Sequence, residues 1–215
     1  MTAALRSLLF LTLVAGASLA ADARAQGLRE QLFEAIDAGN QAEVARLVRA
    51  GVHYTAKNAD DESPLYFAVE KGQLGIARLL LDSGADVKAR TPNGETALHA
   101  AALHEEPALA SLLLERGVEV RAANRNGETA LHWAAMTGSF AVAKLLVERD
   151  ALIQAADGVG NTPLHGAAES GNADLVALLL ANKARPSARN KAGRTPADLA
   201  RARGHDEVVA LLTKK

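Results

Sequence analysis

A six-residue pattern recurs along this chain every 33 residues, and it constrains the fold more than any other feature of the sequence. The central copy, residues 129–134, is Thr-Ala-Leu-His-Trp-Ala. Clear copies begin at Ser63, Thr96, Thr162 and Thr195, and a degenerate copy begins at Glu30. A fixed period of this length predicts structural repeats that stack in a line, because a single unit cannot bury its apolar side alone. We therefore expect one elongated array.

Two positions of the period are each occupied by one residue type in six copies. These residues are Ala35, Ala68, Ala101, Ala134, Ala167 and Ala200, and Leu47, Leu80, Leu113, Leu146, Leu179 and Leu212. Over residues 27–215 the sequence resembles the ankyrin repeat. The resemblance implies an all-α repeat solenoid of about six stacked helix-turn-helix units, four full and two capping, with hairpin-like loops.

The repeats predict one domain, residues 26–215. A capping repeat covers 27–59, full repeats cover 60–92, 93–125, 126–158 and 159–191, and a C-terminal capping repeat covers 192–215. The end units of such an array must shield its core, so they are expected to be atypical. Glu30 and Glu34 stand where inner copies have apolar or small residues, and Ala197 replaces the pattern leucine.

Within each repeat, we expect a Thr or Ser to cap a first helix of about nine residues. A Gly then turns the chain, and a second Gly ends the second helix in the left-handed conformation. Glu105 replaces the turn Gly, and Asp150 and Lys183 replace the helix-ending Gly. A left-handed non-Gly residue costs about 1 kcal/mol. We predict that these positions are locally less stable or that their loops are reshaped for a partner. The alternative is sequence variation that the fold tolerates.

The first 25 residues have the layout of a secretory signal peptide. An apolar run at 7–17 is followed by small residues, with cleavage sites after Ala20 or Ala25. The run is shorter than the roughly 20 residues that a membrane span needs. An uncleaved anchor and a disordered tail are the alternatives. Usage rich in Ala, Arg and Leu is typical of a GC-rich bacterium, where this signal predicts a periplasmic protein, with secretion as the alternative.

Composition excludes several functional classes. The 215 residues are 49% apolar and 23% charged with a formal net charge of −1, so the chain lacks the basic field that nucleic-acid binding requires. It has no cysteine, which excludes disulfides, thiolate metal sites and a Cys nucleophile. No complete catalytic or nucleotide-binding motif occurs. We expect no enzyme activity, no cofactor, no nucleic acid, and no membrane contact after signal cleavage.

His99, His132 and His165 occupy the same position in successive repeats. Stacked units lie about 10 Å apart, as packed helices do. A zinc ion needs ligands at about 2 Å, so successive histidines cannot share one metal ion. The resemblance implies that each histidine instead bonds the Thr of its own pattern and the neighbouring loop.

The resemblance also implies that a partner binds to a concave face made of the loop tips and the exposed side of the first helices. Transferred by position, the candidate residues are Asp60, Glu62, Glu70, Glu95, Leu103, His104, Arg125, Asn126, Glu128, Trp133, Met136, Val159, Asn161, Lys191, Arg194 and Arg203. Trp133 is the only tryptophan. It is expected either to pack in the core or to contribute to a binding hot spot.

This candidate surface is acidic near the N-terminus, apolar in the middle and basic near the C-terminus. The pattern predicts an elongated protein partner of opposite polarity, and an ordinary solvated surface is the alternative. We expect a monomeric periplasmic or exported protein–protein interaction module that is an adaptor, inhibitor or accessory of an envelope protein. The alternative is a secreted effector-like protein that acts on a host or competitor target.

Overall fold

The computed structural model describes residues 24–52 and 56–214. Within these ranges the chain forms twelve helices and no extended strand. The helices are α1 (24–37), α2 (Gln41–Arg49), α3 (Pro64–Glu70), α4 (Leu74–Asp82), α5 (Ala97–Ala101), α6 (Ala108–Glu115), α7 (Ala130–Thr137), α8 (Phe140–Glu148), α9 (Pro163–Ser170), α10 (Ala173–Ala181), α11 (Pro196–Arg203) and α12 (Asp206–Thr213). They form six consecutive pairs, which confirms the predicted all-α repeat array.

The predicted signal peptide, residues 1–25, lies almost wholly outside the described residues. Only residues 24 and 25 are described, and both belong to α1. The later predicted cleavage site, after Ala25, therefore falls within this helix. No helix in the described part of the chain is both long enough and apolar enough to cross a membrane.

The helices pack in two layers. Consecutive first helices contact one another from α3 to α11, and consecutive second helices do so from α2 to α12. One continuous apolar core lies between the layers. The pattern leucines Leu98, Leu131 and Leu164 are at most 1% exposed, and the pattern alanines are buried beside them. The small alanine side chain allows neighbouring first helices to approach closely.

The predicted Ser and Thr residues cap the first helices. Ser63 accepts a hydrogen bond from the backbone N–H of Tyr66 at 3.1 Å. At α7, Thr129 and His132 form a reciprocal capping box, and the same arrangement begins α5 and α9. These caps satisfy backbone N–H groups that have no partner within the helix.

The chain reverses at residues with positive φ, as the sequence predicts. Most of them are glycines, which adopt this conformation without steric cost. Asp150 and Lys183, which replace the helix-ending Gly, have φ values of 62° and 67°. The prediction of a left-handed conformation at these two positions is confirmed.

Helix α1, over residues 24–37, is longer than the predicted nine residues, and the later first helices are shorter. Helix α3 has seven residues, and α7, α9 and α11 have eight each. Helix α5 has only five. Glu105 occupies the place of the turn Gly there, and an irregular turn over residues 102–107 replaces the end of the helix. Pro107 then occupies the N-cap position of α6, without a capping hydrogen bond from its side chain.

The hairpin-like loops are linked to one another along the array. Two of them contain an isolated antiparallel bridge, Arg90 with Thr96 and Ala123 with Thr129. The backbone N–H of Arg125 donates to the oxygen of Asn93 at 2.8 Å, and Lys191 donates to Val159 in the same way at 2.9 Å. The loop tips therefore form a connected edge beside the first helices.

Candidate protein-binding surface

The exposed side of the first helices and the loop tips beside them form the surface that we call the inner face. One position in each loop directly precedes the helix cap. We call these residues the pre-cap row: Glu62, Glu95, Glu128, Asn161 and Arg194. All but Arg194, which is exposed, are half-buried.

A side chain four residues earlier holds each carboxylate of the pre-cap row. Asn58 donates to Glu62 at 2.8 Å, and Thr91 donates to Glu95 at 2.9 Å. Asn124 donates to Glu128 at 2.8 Å. In each case the same residue also accepts a hydrogen bond from the backbone N–H of the glutamate. The carboxylates are thus oriented by their own loops, independently of any partner.

The predicted acidic end of the inner face is present. Burial raises the pKa of the Glu62 carboxyl, and repulsion from Glu70, Asp60 and Glu95 adds to this shift, although the hydrogen bond from Asn58 opposes it. The repulsion shows that these carboxylates lie near one another. None of the four forms a salt bridge with any described residue.

The middle of the inner face carries exposed apolar side chains, as predicted. Leu103 is 40% exposed, and Met136 and Val159 are each 58% exposed. Trp133 is half-buried, and its ring packs edge-on against His99 with centroids 5.5 Å apart. The indole Nε1–H donates to Glu128 at 3.3 Å. Trp133 therefore packs against the array and still leaves part of its ring on the inner face.

Two predicted binding residues make hydrogen bonds with neighbouring repeats. His104 is half-buried, and its Nε2 lies 2.9 Å from the oxygen of Val69 in the preceding repeat. Asn161 accepts a hydrogen bond from Asn190 through its side chain and contacts His132 through its main-chain oxygen. Sequence position placed both on the surface, but contacts with neighbouring repeats engage them.

The predicted basic end is partly neutralised. Arg203 forms a salt bridge of 2.6 Å with Glu169 of the preceding repeat. The ammonium of Lys191 donates to the oxygen of Gly158 at 2.6 Å. Arg194 is exposed and has no salt bridge among the described residues, and Arg125 and Asn126 are exposed at a loop tip. The charge therefore changes sign along the inner face, but the acidic end is the less compensated one.

The three pattern histidines join successive repeats. The Nδ1 atoms accept hydrogen bonds from the backbone N–H of Thr96, Thr129 and Thr162. The Nε2 atoms lie 3.1–3.2 Å from main-chain oxygens of the following loops. Burial lowers the pKa of each ring. Among the described residues, no group of His, Asp and Glu is placed to hold a metal ion.

A second set of links between repeats was not predicted. The side chains of Gln73 and Asn172 donate to the oxygens of Ile36 and Gly138 in the preceding repeats. The ring of His205 makes the same kind of contact with Glu169. All three residues directly follow a turn Gly. A polar residue after that Gly at the repeat period is a sequence signal that could have identified these links.

Comparison with protein families agrees with this architecture. The sequence profile described as "Ankyrin repeats (3 copies)" matches residues 1–91, 88–157 and 151–215. No curated protein sequence matches the chain significantly. Ankyrin repeats generally mediate protein–protein interactions, and the family typically serves as a non-enzymatic interaction module. Because the three matches together span the whole chain, the protein belongs to the ankyrin-repeat family.

Proposed function

We propose that the protein is exported and acts as a monomeric protein–protein interaction module, an adaptor, inhibitor or accessory of an envelope protein, through its inner face. The observation that carries the proposal is the set of exposed apolar side chains Leu103, Met136 and Val159. Exposed apolar side chains grouped on one face and bordered by charge are typical of interaction sites. Trp133 lies among them and belongs to a residue type enriched in binding hot spots.

The charges around this apolar centre support a binding role. Loop hydrogen bonds fix the carboxylates of Glu62, Glu95 and Glu128 in advance, so ordering them on binding costs little entropy. Complementary charge on a partner would set its orientation and raise its association rate. The family is typically a module of this kind, and the inner face supplies a surface suited to it.

The export part of the proposal rests on the apolar run at 7–17 and the small residues after it. Fractionation of the native cells and N-terminal sequencing of the protein test it. We expect the protein in the periplasm with a new N-terminus at Ala21 or Gln26. Recovery from the cytoplasm with Met1 or Thr2 still present would contradict export. Recovery of the cleaved protein mainly from the medium would favour the secreted alternative.

Crosslinking followed by affinity purification from the native envelope fraction tests the binding part. The test variant combines Leu103→Ala, Met136→Ala and Val159→Ala, which truncate exposed side chains and should leave the fold intact. A matched control combines Phe140→Ala and Leu152→Ala, which are 38% and 41% exposed outside the inner face. We expect a partner that the native chain and the control capture and the test variant does not. A partner captured equally by all three forms would contradict binding through the inner face.

A further inference from the structure

The pre-cap row places three carboxylates at equivalent positions of three successive repeats: Glu62, Glu95 and Glu128. One oxygen of each accepts the hydrogen bond from the loop side chain four residues earlier. Tyr66 and Trp133 donate to that same oxygen in Glu95 and Glu128. The other oxygen of all three carboxylates accepts no hydrogen bond from any described residue.

The spacing of these carboxylates follows from the stacking of the repeats. Adjacent packed helices usually lie about 8–10 Å apart, so we expect successive carboxylates to recur at about that interval. No cation among the described residues pairs with them. The next two members of the row are Asn161 and Arg194, so the acidic series ends after its third member.

An apolar series runs beside the acidic one. Trp133 lies next to Glu128, and Met136 follows one turn later on α7. Leu103 follows α5 at the position equivalent to Met136 in the preceding repeat. Both Leu103 and Met136 are exposed. A partner that lies along the inner face therefore meets carboxylates on one side and apolar side chains on the other.

One backbone conformation of a partner matches both series. A polyproline II helix advances about 3.1 Å per residue with three residues per turn, so every third side chain points the same way at intervals of about 9.3 Å. A β-strand alternates its side chains with a period of two, so every third residue changes face. An α-helix needs seven residues, about 10.5 Å, for the same repeat.

We propose that the inner face binds an extended segment of a partner protein in the polyproline II conformation. Every third residue of this segment is Lys or Arg and faces Glu62, Glu95 and Glu128. The residue after each of these is apolar and faces Leu103 and Met136. The proposal rests on the proposed function and specifies its partner. The basic positions number three, because Asn161 and Arg194 end the acidic series. Opposite Arg194 the segment carries an acidic residue or none.

Fluorescence anisotropy of labelled peptides with the purified full-length chain tests this proposal. The probe is a peptide of about nine residues that repeats Lys-Leu-Pro three times, so that its three lysines match the three carboxylates. One comparison peptide has the same composition with the lysines in one block. Another is an Ala-rich helical peptide of about sixteen residues with three lysines seven residues apart, so that its charge matches that of the probe. We expect the repeating peptide to bind at least about tenfold more tightly than either comparison, and its affinity to fall as salt rises from about 50 to 300 mM. Equal affinities, or a preference for the helical peptide, would overturn the proposal.

Paired variants of the protein test the carboxylates themselves. The test variant combines Glu62→Gln, Glu95→Gln and Glu128→Gln, which keep the loop hydrogen bonds and remove the charges. The control combines Glu115→Gln, Glu148→Gln and Glu207→Gln, which change the net charge equally on the second helices, where all three residues are exposed. We expect about tenfold weaker peptide binding in the test variant only, since each exposed ion pair contributes modestly. Equal binding by the two variants would show that the carboxylates do not recognise the peptide.

The two proposals fail in distinguishable ways. One outcome is the capture of an envelope partner through Leu103, Met136 and Val159 while the protein shows no preference for the repeating peptide. That result would support the proposed interaction module and contradict only the proposal of a polyproline II segment. Thermal unfolding of each variant confirms that a loss of binding does not reflect a loss of fold.

Discussion

The Nε2 atom of His132 lies 3.2 Å from the main-chain oxygen of Asn161 in the following repeat. On the other side of the ring, Nδ1 accepts the backbone N–H of Thr129 at 3.1 Å. An atom that accepts this hydrogen bond carries no proton, so the ring is neutral with its proton on Nε2. The neutral histidine therefore joins the cap of its own helix to the loop of the next repeat.

Removal of this link should destabilise the array. In His132→Ala, the buried backbone N–H of Thr129 loses its partner, and this unsatisfied group costs about 1–3 kcal/mol. The oxygen of Asn161 keeps its hydrogen bond from the backbone N–H of Asp157 and loses only the one from the ring, which costs about another 1 kcal/mol. We expect a loss of about 2–4 kcal/mol in the free energy of unfolding, measured with urea. His205→Ala is the control, because that ring makes one cross-repeat contact and caps no helix through its side chain. A loss no larger than that of the control would contradict the account.

The buried histidines predict the sign of the pH dependence of stability. Burial lowers the pKa of His99, His132 and His165 below the ordinary 6.5. As the pH falls through about 6.5, these histidines bind protons in the unfolded chain but stay neutral in the folded chain. The free energy of unfolding therefore decreases. The full contribution is present above the unfolded pKa and is lost progressively below it.

Urea unfolding at about pH 7.5 and 5.5 measures this dependence, in a window that lies above the titration of ordinary carboxyl groups. The array should be less stable at the lower pH. His132→Gln removes one of the three rings and should show a smaller decrease than the native chain. Stability that is unchanged or greater at the lower pH would contradict neutral histidines in the folded state.

Lys183→Gly should stabilise the protein. Lys183 ends α10 with a φ of 67°, a conformation that costs a non-Gly residue about 1 kcal/mol. Glycine adopts it without this cost, and the main-chain oxygen that accepts from Gln154 remains. We expect a gain of about 1 kcal/mol and a higher melting temperature by calorimetry. The neighbouring Asn182 has a φ of −95°, so Asn182→Gly should not stabilise, and an equal gain there would refute this explanation.

Two asparagines that cap second helices offer a matched comparison. Asn40 accepts from the backbone N–H of Glu43 and caps α2. Asn172 caps α10 in the same way and also donates to the oxygen of Gly138 in the preceding repeat at 2.9 Å. Loss of a cap costs about 1 kcal/mol, and loss of a cross-repeat hydrogen bond about another. Asn172→Ala should therefore destabilise about twice as much as Asn40→Ala in urea unfolding, and equal losses would show that the cross-repeat bond contributes nothing.

The sequence predicted those features that depend on residues within one repeat. The caps at Ser63 and Thr129 and the left-handed conformations of Asp150 and Lys183 follow from local rules for helix ends, and the structure confirms them. The short α5 was not predicted. The replacement of the turn Gly by Glu105 indicates that the turn differs there, but it does not indicate by how many residues α5 is shortened.

Features that depend on two repeats were predicted less well. The ring of His104 contacts the main-chain oxygen of Val69, which lies 35 residues earlier in the sequence. Arg203 forms its salt bridge with Glu169, which lies 34 residues earlier. Position within the period predicts that such residues lie on one face, but the choice of partner depends on side-chain rotamers and on the relative placement of two backbones. The sequence therefore predicted where these residues lie and the sign of their charges, but not which charges remain unpaired.

The dissociation constant of the captured partner tests the central claim, that the inner face binds another protein, most directly. It is measured for the native chain, for the triple variant of Leu103, Met136 and Val159 to Ala, and for the double control variant of Phe140 and Leu152 to Ala. We expect the triple variant to bind at least about tenfold more weakly, a loss of about 1.4 kcal/mol, and the control to bind as the native chain does. Equal affinity of the triple variant and the native chain, or a larger loss in the control, would contradict binding through the inner face.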